Sequence, residues 1–149
     1  MNLLPDGKAI HTDWIRVTYR DTDKMGLVYY ANYLVWLEIG RTEVLRQLGQ
    51  TYLAWEEDLG VFLPVSKCEI EYHIGARYDD LIHVATTVSK FSRAGITFEY
   101  QIFRENNVLL ATAKTSHCFT DREGRIVRRG EELLPFLLAK PNDAAVGLV

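Results

Sequence analysis

Hydrophobic and polar positions alternate from Trp14 to Tyr19: Trp14, Arg16 and Thr18 share one face, Ile15, Val17 and Tyr19 the other. This two-residue period predicts a half-buried strand. Arg20 to Gly26, with Asp21, Thr22 and Asp23, has turn composition and ends it. From Tyr30 to Gly49 the period lengthens. Leu34, Leu37, Arg41, Val44, Leu45 and Leu48 recur at spacings of three and four, which predicts a helix with Gly49 as its stop. Arg41 is the polar member of that stripe, and its stem can cross the apolar edge. Gly40 costs about 1 kcal/mol of helix propensity, which close packing against another backbone would offset. A shorter helical piece is expected over Thr51 to Leu59.

Four strand-like segments follow. In Val61 to Ile74, Cys68, Ile70 and Tyr72 alternate with Glu69, Glu71 and His73, while Pro64 disfavours a central, fully bonded position. The others span about 80–91, 95–104 and 108–119, and Glu105-Asn106-Asn107 suits a hairpin connection. Asp121 to Gly124 is a further turn. Glu131 to Leu138 reads as a short helix limited by Pro135. Residues 1–12 read as a flexible arm, 139–149 as a mobile tail, and 1–149 as one domain. One strand, one long helix and four more strands predict an α+β fold. Its antiparallel sheet wraps the helix, which buries the apolar side of both. The sheet's outer face then needs polar residues or a partner subunit, so dimerisation is expected.

Composition narrows the function. At 149 residues and 48% apolar content the chain can build a core without disulfides or a structural metal. The 17 Lys and Arg against 20 Asp and Glu leave a formal charge of -3, and no basic groove or base-stacking motif stands out. Nucleic acid is therefore not an expected partner. No apolar run is long enough for a membrane span, and the N-terminus lacks a leader pattern. Stable membrane insertion is not expected, and a cytoplasmic location is. Cys68 and Cys118 read as buried free thiols, and the four histidines, His11, His73, His83 and His117, have no metal-site spacing.

Candidate chemistry concentrates in residues 17–38, VTYRDTDKMGLVYYANYLVWLE. A strand ends in Asp21 and Asp23, a glycine-containing turn follows, and a helix begins near Tyr30. The first N–H groups of a helix lack internal partners and can hold a carbonyl oxygen as charge develops on it. A carboxylate a few residues earlier can attack that carbonyl or activate a water. Such a centre needs no metal or cofactor. Taken alone, Asp21 and Asp23 read more simply as turn and cap residues, and Tyr29, Tyr30 and Tyr33 as core or interface residues.

The wider pattern is more specific. Asp21-Thr22-Asp23, Gly26, Val28-Tyr29 and Ala31-Asn32-Tyr33, then WLEIGRTEVLRQLG, SRAGITFEYQIFRE and LLATAKTSHCFTD, resemble the hotdog-fold acyl-CoA thioesterases. The branches resembled are those of 4-hydroxybenzoyl-CoA thioesterase and of the Tol–Pal-associated acyl-CoA thioesterases. The resemblance covers about residues 12–137. It implies hydrolysis of an acyl-CoA to a free acid and coenzyme A. By the same resemblance Asp23, rather than Asp21, matches the catalytic carboxylate. The backbone N–H of Tyr30 matches the donor that polarises the thioester carbonyl. Gly26 matches the loop glycine, Val28 and Tyr29 complete the substrate-binding loop, and Asn32 orders the junction with the helix. Tyr19 matches a tyrosine near the site in the Tol–Pal-associated branch, where it would orient Asp23 or water. That branch has histidine where this chain has Tyr30, so a backbone role carries over and an imidazole role does not.

The resemblance also implies a homodimer, often paired into a homotetramer, with each site at the subunit interface. Coenzyme A phosphates would meet surface cations. Arg77, Lys90, Arg93, Arg128 and Arg129 are the candidates, each equally readable as a solvated residue. Other functions on the same scaffold are a non-hydrolytic acyl-CoA or acyl-carrier binding module and a hotdog dehydratase or hydratase, which presents histidine on a different motif. Glu38, the Glu56-Glu57-Asp58 group and the Glu69, Glu71, His73 face read as structural or solvated polar residues.

Overall fold

A computed structural model describes residues 2–138, so the tail expected from residue 139 lies outside them. The elements run β1 (Ile10–His11), β2 (Ile15–Arg16), α1 (Tyr33–Gln47), α2 (Tyr52–Ala54), β3 (Val65–Tyr72), β4 (Leu81–Phe91), β5 (Gly95–Arg104), β6 (Val108–Cys118) and α3 (Gly130–Leu138). The sheet is antiparallel, in the order β1–β4–β5–β6–β3, with β2 also on β4. It wraps α1, which contacts mainly β4, β1 and β5. This is the expected α+β hotdog architecture.

One pairing departs from the simplest expectation. β3 pairs with β6, not with β4, its successor in sequence. The reason lies in residues 74–80, which form no hairpin between the two strands, although Asp80 N–H closes a turn on Arg77 O at 3.1 Å. They instead bond back to the loop before α1, through the Leu27 and Arg77 bridge and the Val28 N–H to Ala76 O bond of 2.8 Å. The first strand is also shorter than its alternation implies, because a capped turn at Tyr19–Asp21 interrupts it. Residues 2–12 are docked rather than free. Leu3 N–H donates to Val88 O at 2.8 Å, Leu4 is buried, and β1 pairs with Ala85 and Thr86.

The cross-strand register places Thr86, Tyr100, Ala113 and Ile70 in one row of the inner face, and Val88, Phe98, Thr115 and Cys68 in the next. Tyr33, Trp36, Leu37, Gly40, Val44 and Leu45 of α1 pack against this face. Leu34 is not among them; it is 46% exposed. The thiols correct another expectation: both are free, but Cys68 is exposed and Cys118 half-buried. Alternation puts Cys68 on the inner face correctly, yet α1 does not cover that end of the sheet.

Gly40 makes a close approach, but to side chains rather than to the other backbone that its helix penalty suggested. A Cβ there would lie 2.6 Å from Thr86 Oγ1 and 2.9 Å from Val84 Cγ1. Deeper in the core, His117 Nδ1 lies 2.9 Å from Leu63 O, and its Nε2 lies 2.9 Å from Thr115 Oγ1. A carbonyl only accepts, so Nδ1 carries the proton and Nε2 accepts from Thr115. Thr115 Oγ1 in turn accepts from Tyr100 Oη at 2.6 Å. Burial lowers the His117 pKa, opposed by the Leu63 carbonyl and assisted by the charge of Arg41.

Two outcomes follow. Gly40→Ala should destabilise by about 1–2 kcal/mol in urea unfolding, because overpacking outweighs the helix-propensity gain; higher stability would refute the close contact. The unfolded chain protonates histidine near its ordinary pKa of about 6.5, before folded His117 does, so stability should fall as pH drops below that value. His117→Gln should flatten this part of the profile, with the half-buried His83 common to both proteins. Parallel pH profiles would refute the neutral, acceptor role of His117.

Candidate active site

The loop before α1 is a small hairpin held at both ends. Thr22 pairs with Val28, Asp23 N–H donates to Leu27 O at 2.8 Å, and Gly26 N–H returns to Asp23 O at 3.1 Å. Gly26 has φ +79°, a left-handed conformation that a glycine adopts without strain. Val28 is buried and anchors the hairpin to Ala76. Tyr29 N–H donates to Asp21 O at 2.9 Å, and Asn32 Nδ2 donates to the same carbonyl at 2.8 Å. Asn32 therefore fastens loop to helix.

The two carboxylates differ in employment. Asp21 Oδ2 accepts from both Thr18 N–H, at 2.9 Å, and Thr18 Oγ1, at 2.8 Å, so Asp21 serves as a cap. Asp23 Oδ1 accepts from Met25 N–H at 2.8 Å and, more weakly, from Leu27 N–H at 3.4 Å. Its Oδ2 has no hydrogen-bond partner among the described residues. Asp23 is exposed in the single chain.

Tyr30 begins the one-turn helix Tyr30–Asn32 that leads into α1. Among the described residues its N–H has no acceptor, the usual state of a first helical position. The side chain is 63% exposed, and its ring lies 4.7 Å from that of Tyr29. Two partners escaped the sequence reading. Tyr72 Oη, from β3, donates to Tyr30 O at 3.0 Å, and buried Tyr33 Oη accepts from Ala76 N–H at 3.0 Å. Burial raises the pKa of both phenols, so Tyr72 keeps the proton it donates. Strand alternation gives the facing of Tyr72 but no sign of a partner 42 positions away. An open cleft of about 390 Å³ adjoins the junction, lined by Thr18, Arg20, Asp21, Asn32, Val35 and Trp36.

The remaining candidates are scattered. Tyr19 is exposed, and its ring packs edge-on against Tyr78 at 5.8 Å, with no bond to Asp23. Arg77 is exposed beside the loop through its bridge to Leu27. Lys90 lies at the far end of β4, about 30 Å along that strand from its start. Arg93 is beyond it, paired with Glu131 at 3.2 Å. One chain therefore does not bring Lys90 and Arg93 to Asp23. Arg129 is occupied by Leu59 O and Glu132.

This division of labour has a measurable consequence. Asp21→Ala should cost about 1 kcal/mol of stability through the lost cap, read by thermal or urea unfolding. Unchanged stability would show that the cap contributes nothing.

The thioesterase-like superfamily matches residues 17–141. The acyl-CoA thioesterase YbgC of Haemophilus influenzae is 40% identical over 99 residues, 66% of this chain and 72% of that protein. YneP of Bacillus subtilis, provisionally named an acyl-CoA thioesterase, is 37% identical over 109 residues, 73% of this chain and 78% of that protein. The crystal structure of a DHNA-CoA thioesterase from Staphylococcus aureus superposes with TM-score 0.79 at 27% identity, covering 94% of this chain and 90% of the other. Among the described residues no helix is long and apolar enough to cross a membrane. Fold and sequence agree: the chain belongs to the thioesterase-like superfamily, as a hotdog-fold acyl-CoA thioester hydrolase.

Proposed function

We propose that Asp23 and the Tyr30 backbone N–H together cleave the thioester bond of an acyl-CoA. The supporting observation is an amide with no acceptor, at the start of a helix, on a loop that also carries a carboxylate with one unengaged oxygen. The carbonyl oxygen of the substrate accepts from Tyr30 N–H. Asp23 takes a proton from water, whose oxygen adds to the carbonyl carbon, and the tetrahedral oxyanion is held by the same amide. Collapse breaks the C–S bond, and coenzyme A leaves as a thiolate that recovers the proton. Direct attack by Asp23 is the covalent variant. It would leave solvent oxygen in Asp23 after one turnover in labelled water when water opens the anhydride at the Asp23 carbonyl.

The site also calls for a second copy. β3 ends the sheet, and seven of its eight residues are exposed. A strand of that length with a free edge is a ready surface for pairing. A homodimer joined there would cover the Tyr30 and Tyr72 surface, and Lys90 and Arg93 could then meet coenzyme A phosphates only from the other subunit. Arg77, beside the loop, is the candidate from the same chain.

Asp23→Asn tests the centre, since an asparagine Oδ1 still accepts from Met25 N–H and the loop survives. Thiol release from acyl-CoAs should fall about 10²–10⁴-fold, with stability within about 0.5 kcal/mol of the parent. Near-normal turnover would remove Asp23 from the chemistry.

A further inference from the structure

One charged side chain sits where α1 should be apolar. Leu37 and Val44, four before and three after Arg41, are fully buried, as is Leu48. Leu34, seven before it, is exposed. Arg41 therefore lies on the margin between the buried stripe and an open ridge that leads back toward Tyr30. It is half-buried, and among the described residues it has no carboxylate within salt-bridge distance. Its neighbours come from three other elements: Tyr52 of α2, Cys68 of β3, and Tyr100 of β5. Tyr52 Oη is buried without a well-formed hydrogen bond, and the Arg41 guanidinium is the donor nearest to supplying one. Tyr100 gives its proton to Thr115, in the chain that ends on His117, and so offers Arg41 only lone pairs. A guanidinium has five N–H donors and no acceptor. These three neighbours are neutral, and Glu38, which faces Tyr52 from the preceding turn of α1, is not within salt-bridge distance of Arg41, so the partly desolvated cation favours a further charged or strongly polar acceptor.

The opposite wall of the ridge is the inner face of β3. Its Tyr72, Ile70 and Cys68 follow at two-residue steps, with Tyr72 45% exposed and Cys68 exposed. The Tyr72 Oη bond to Tyr30 O fixes one end of the wall against the candidate oxyanion donor. The other end reaches Arg41. From Tyr30 to Arg41 is about 16 Å along a helix, and from Tyr72 to Cys68 about 13 Å along a strand. Helical side chains tilt back toward the N-terminus, which leaves roughly 10 Å between the Tyr30 amide and the guanidinium.

We propose that Arg41 reads the far end of the acyl group. The acyl group lies along Tyr30, Leu34 and Arg41 against β3, and carries at its distal end an oxygen that accepts from the guanidinium, a hydroxyl or a carboxylate. Arg41 is thus a specificity determinant. This rests on the thioester carbonyl standing at Tyr30.

Matched acyl-CoA pairs test it: 4-hydroxybenzoyl against benzoyl, and adipoyl against hexanoyl, in a thiol-release assay on the full chain. The first pair reads a hydroxyl, the second a carboxylate. Wild-type kcat/KM should favour the oxygenated member of at least one pair by about tenfold or more. Arg41→Met should erase that preference, lowering the oxygenated substrate and leaving its partner within about threefold. No preference in the wild type, or a preference that survives Arg41→Met, overturns the proposal. So does an equal loss on every substrate, which would fit an arginine satisfied by a carboxylate of a second copy. If Arg41→Met does not fold, Arg41→Lys keeps the charge and loses the fork, and should still narrow the preference; an unchanged preference overturns the proposal. Asp23→Asn separates the two readings: near-normal turnover there removes the reaction centre, whereas a large loss there with no wild-type preference removes only the role of Arg41.

Discussion

The Asp21 carbonyl, accepting from both Tyr29 N–H and Asn32 Nδ2, is the constraint on which the site depends. It binds the end of the loop to the beginning of the helix. With Tyr29 N–H spent there and Asn32 N–H donating to Tyr29 O, the Tyr30 N–H is left without an acceptor. The same junction sets Asp21 as a half-buried cap, both Thr18 bonds falling on its Oδ2, while Asp23 stays exposed with both of its bonds on Oδ1. An open amide and a carboxylate held by short local bonds need little reorganisation when a carbonyl arrives, which is the condition for electrostatic stabilisation of an oxyanion.

The sheet's incomplete cover explains the rest of the site. α1 shields β4 and β5 but covers the inner face of β3 only in part, at Ile70 and through the Tyr33 ring on Tyr72, so Cys68 and Tyr72 stay exposed on a side that alternation assigns to the core. The chain continues from β3 into residues 74–80, which brace the loop before α1 through Ala76 and Arg77. One stretch of sequence thus gives the sheet a free edge, the site a wall and the loop a support.

Much of this was legible in the residues. Alternation located β5 from Gly95 to Arg104 and nearly all of β4 and β6, because each is bounded by turn composition and buries alternate residues. The three- and four-residue period located α1, and the cost of Gly40 pointed to a close contact, which it makes with the side chains of Thr86 and Val84 rather than with a backbone. Three features were not legible. The β3–β6 pairing depends on residues 74–80, whose bonds are to a loop some fifty positions earlier. The shortening of the first strand depends on a Thr18–Asp21 cap that overrides alternation. The Tyr72 bond to Tyr30 joins two segments with no local pattern in common. For the site, the order of the Asp-containing turn and helix start was clear from sequence. Which cations gather around it was not, since Lys90 and Arg93 sit at the far end of the sheet in the same chain.

The most direct measurement is a crystal structure of the protein with a non-hydrolysable acyl-CoA analogue that keeps the carbonyl and replaces the scissile sulfur by methylene. The carbonyl oxygen should accept from the Tyr30 amide at about 2.7–3.2 Å, with Asp23 or a water it holds facing the carbonyl carbon. A carbonyl bound elsewhere, with the Tyr30 amide turned to another partner, would contradict the account.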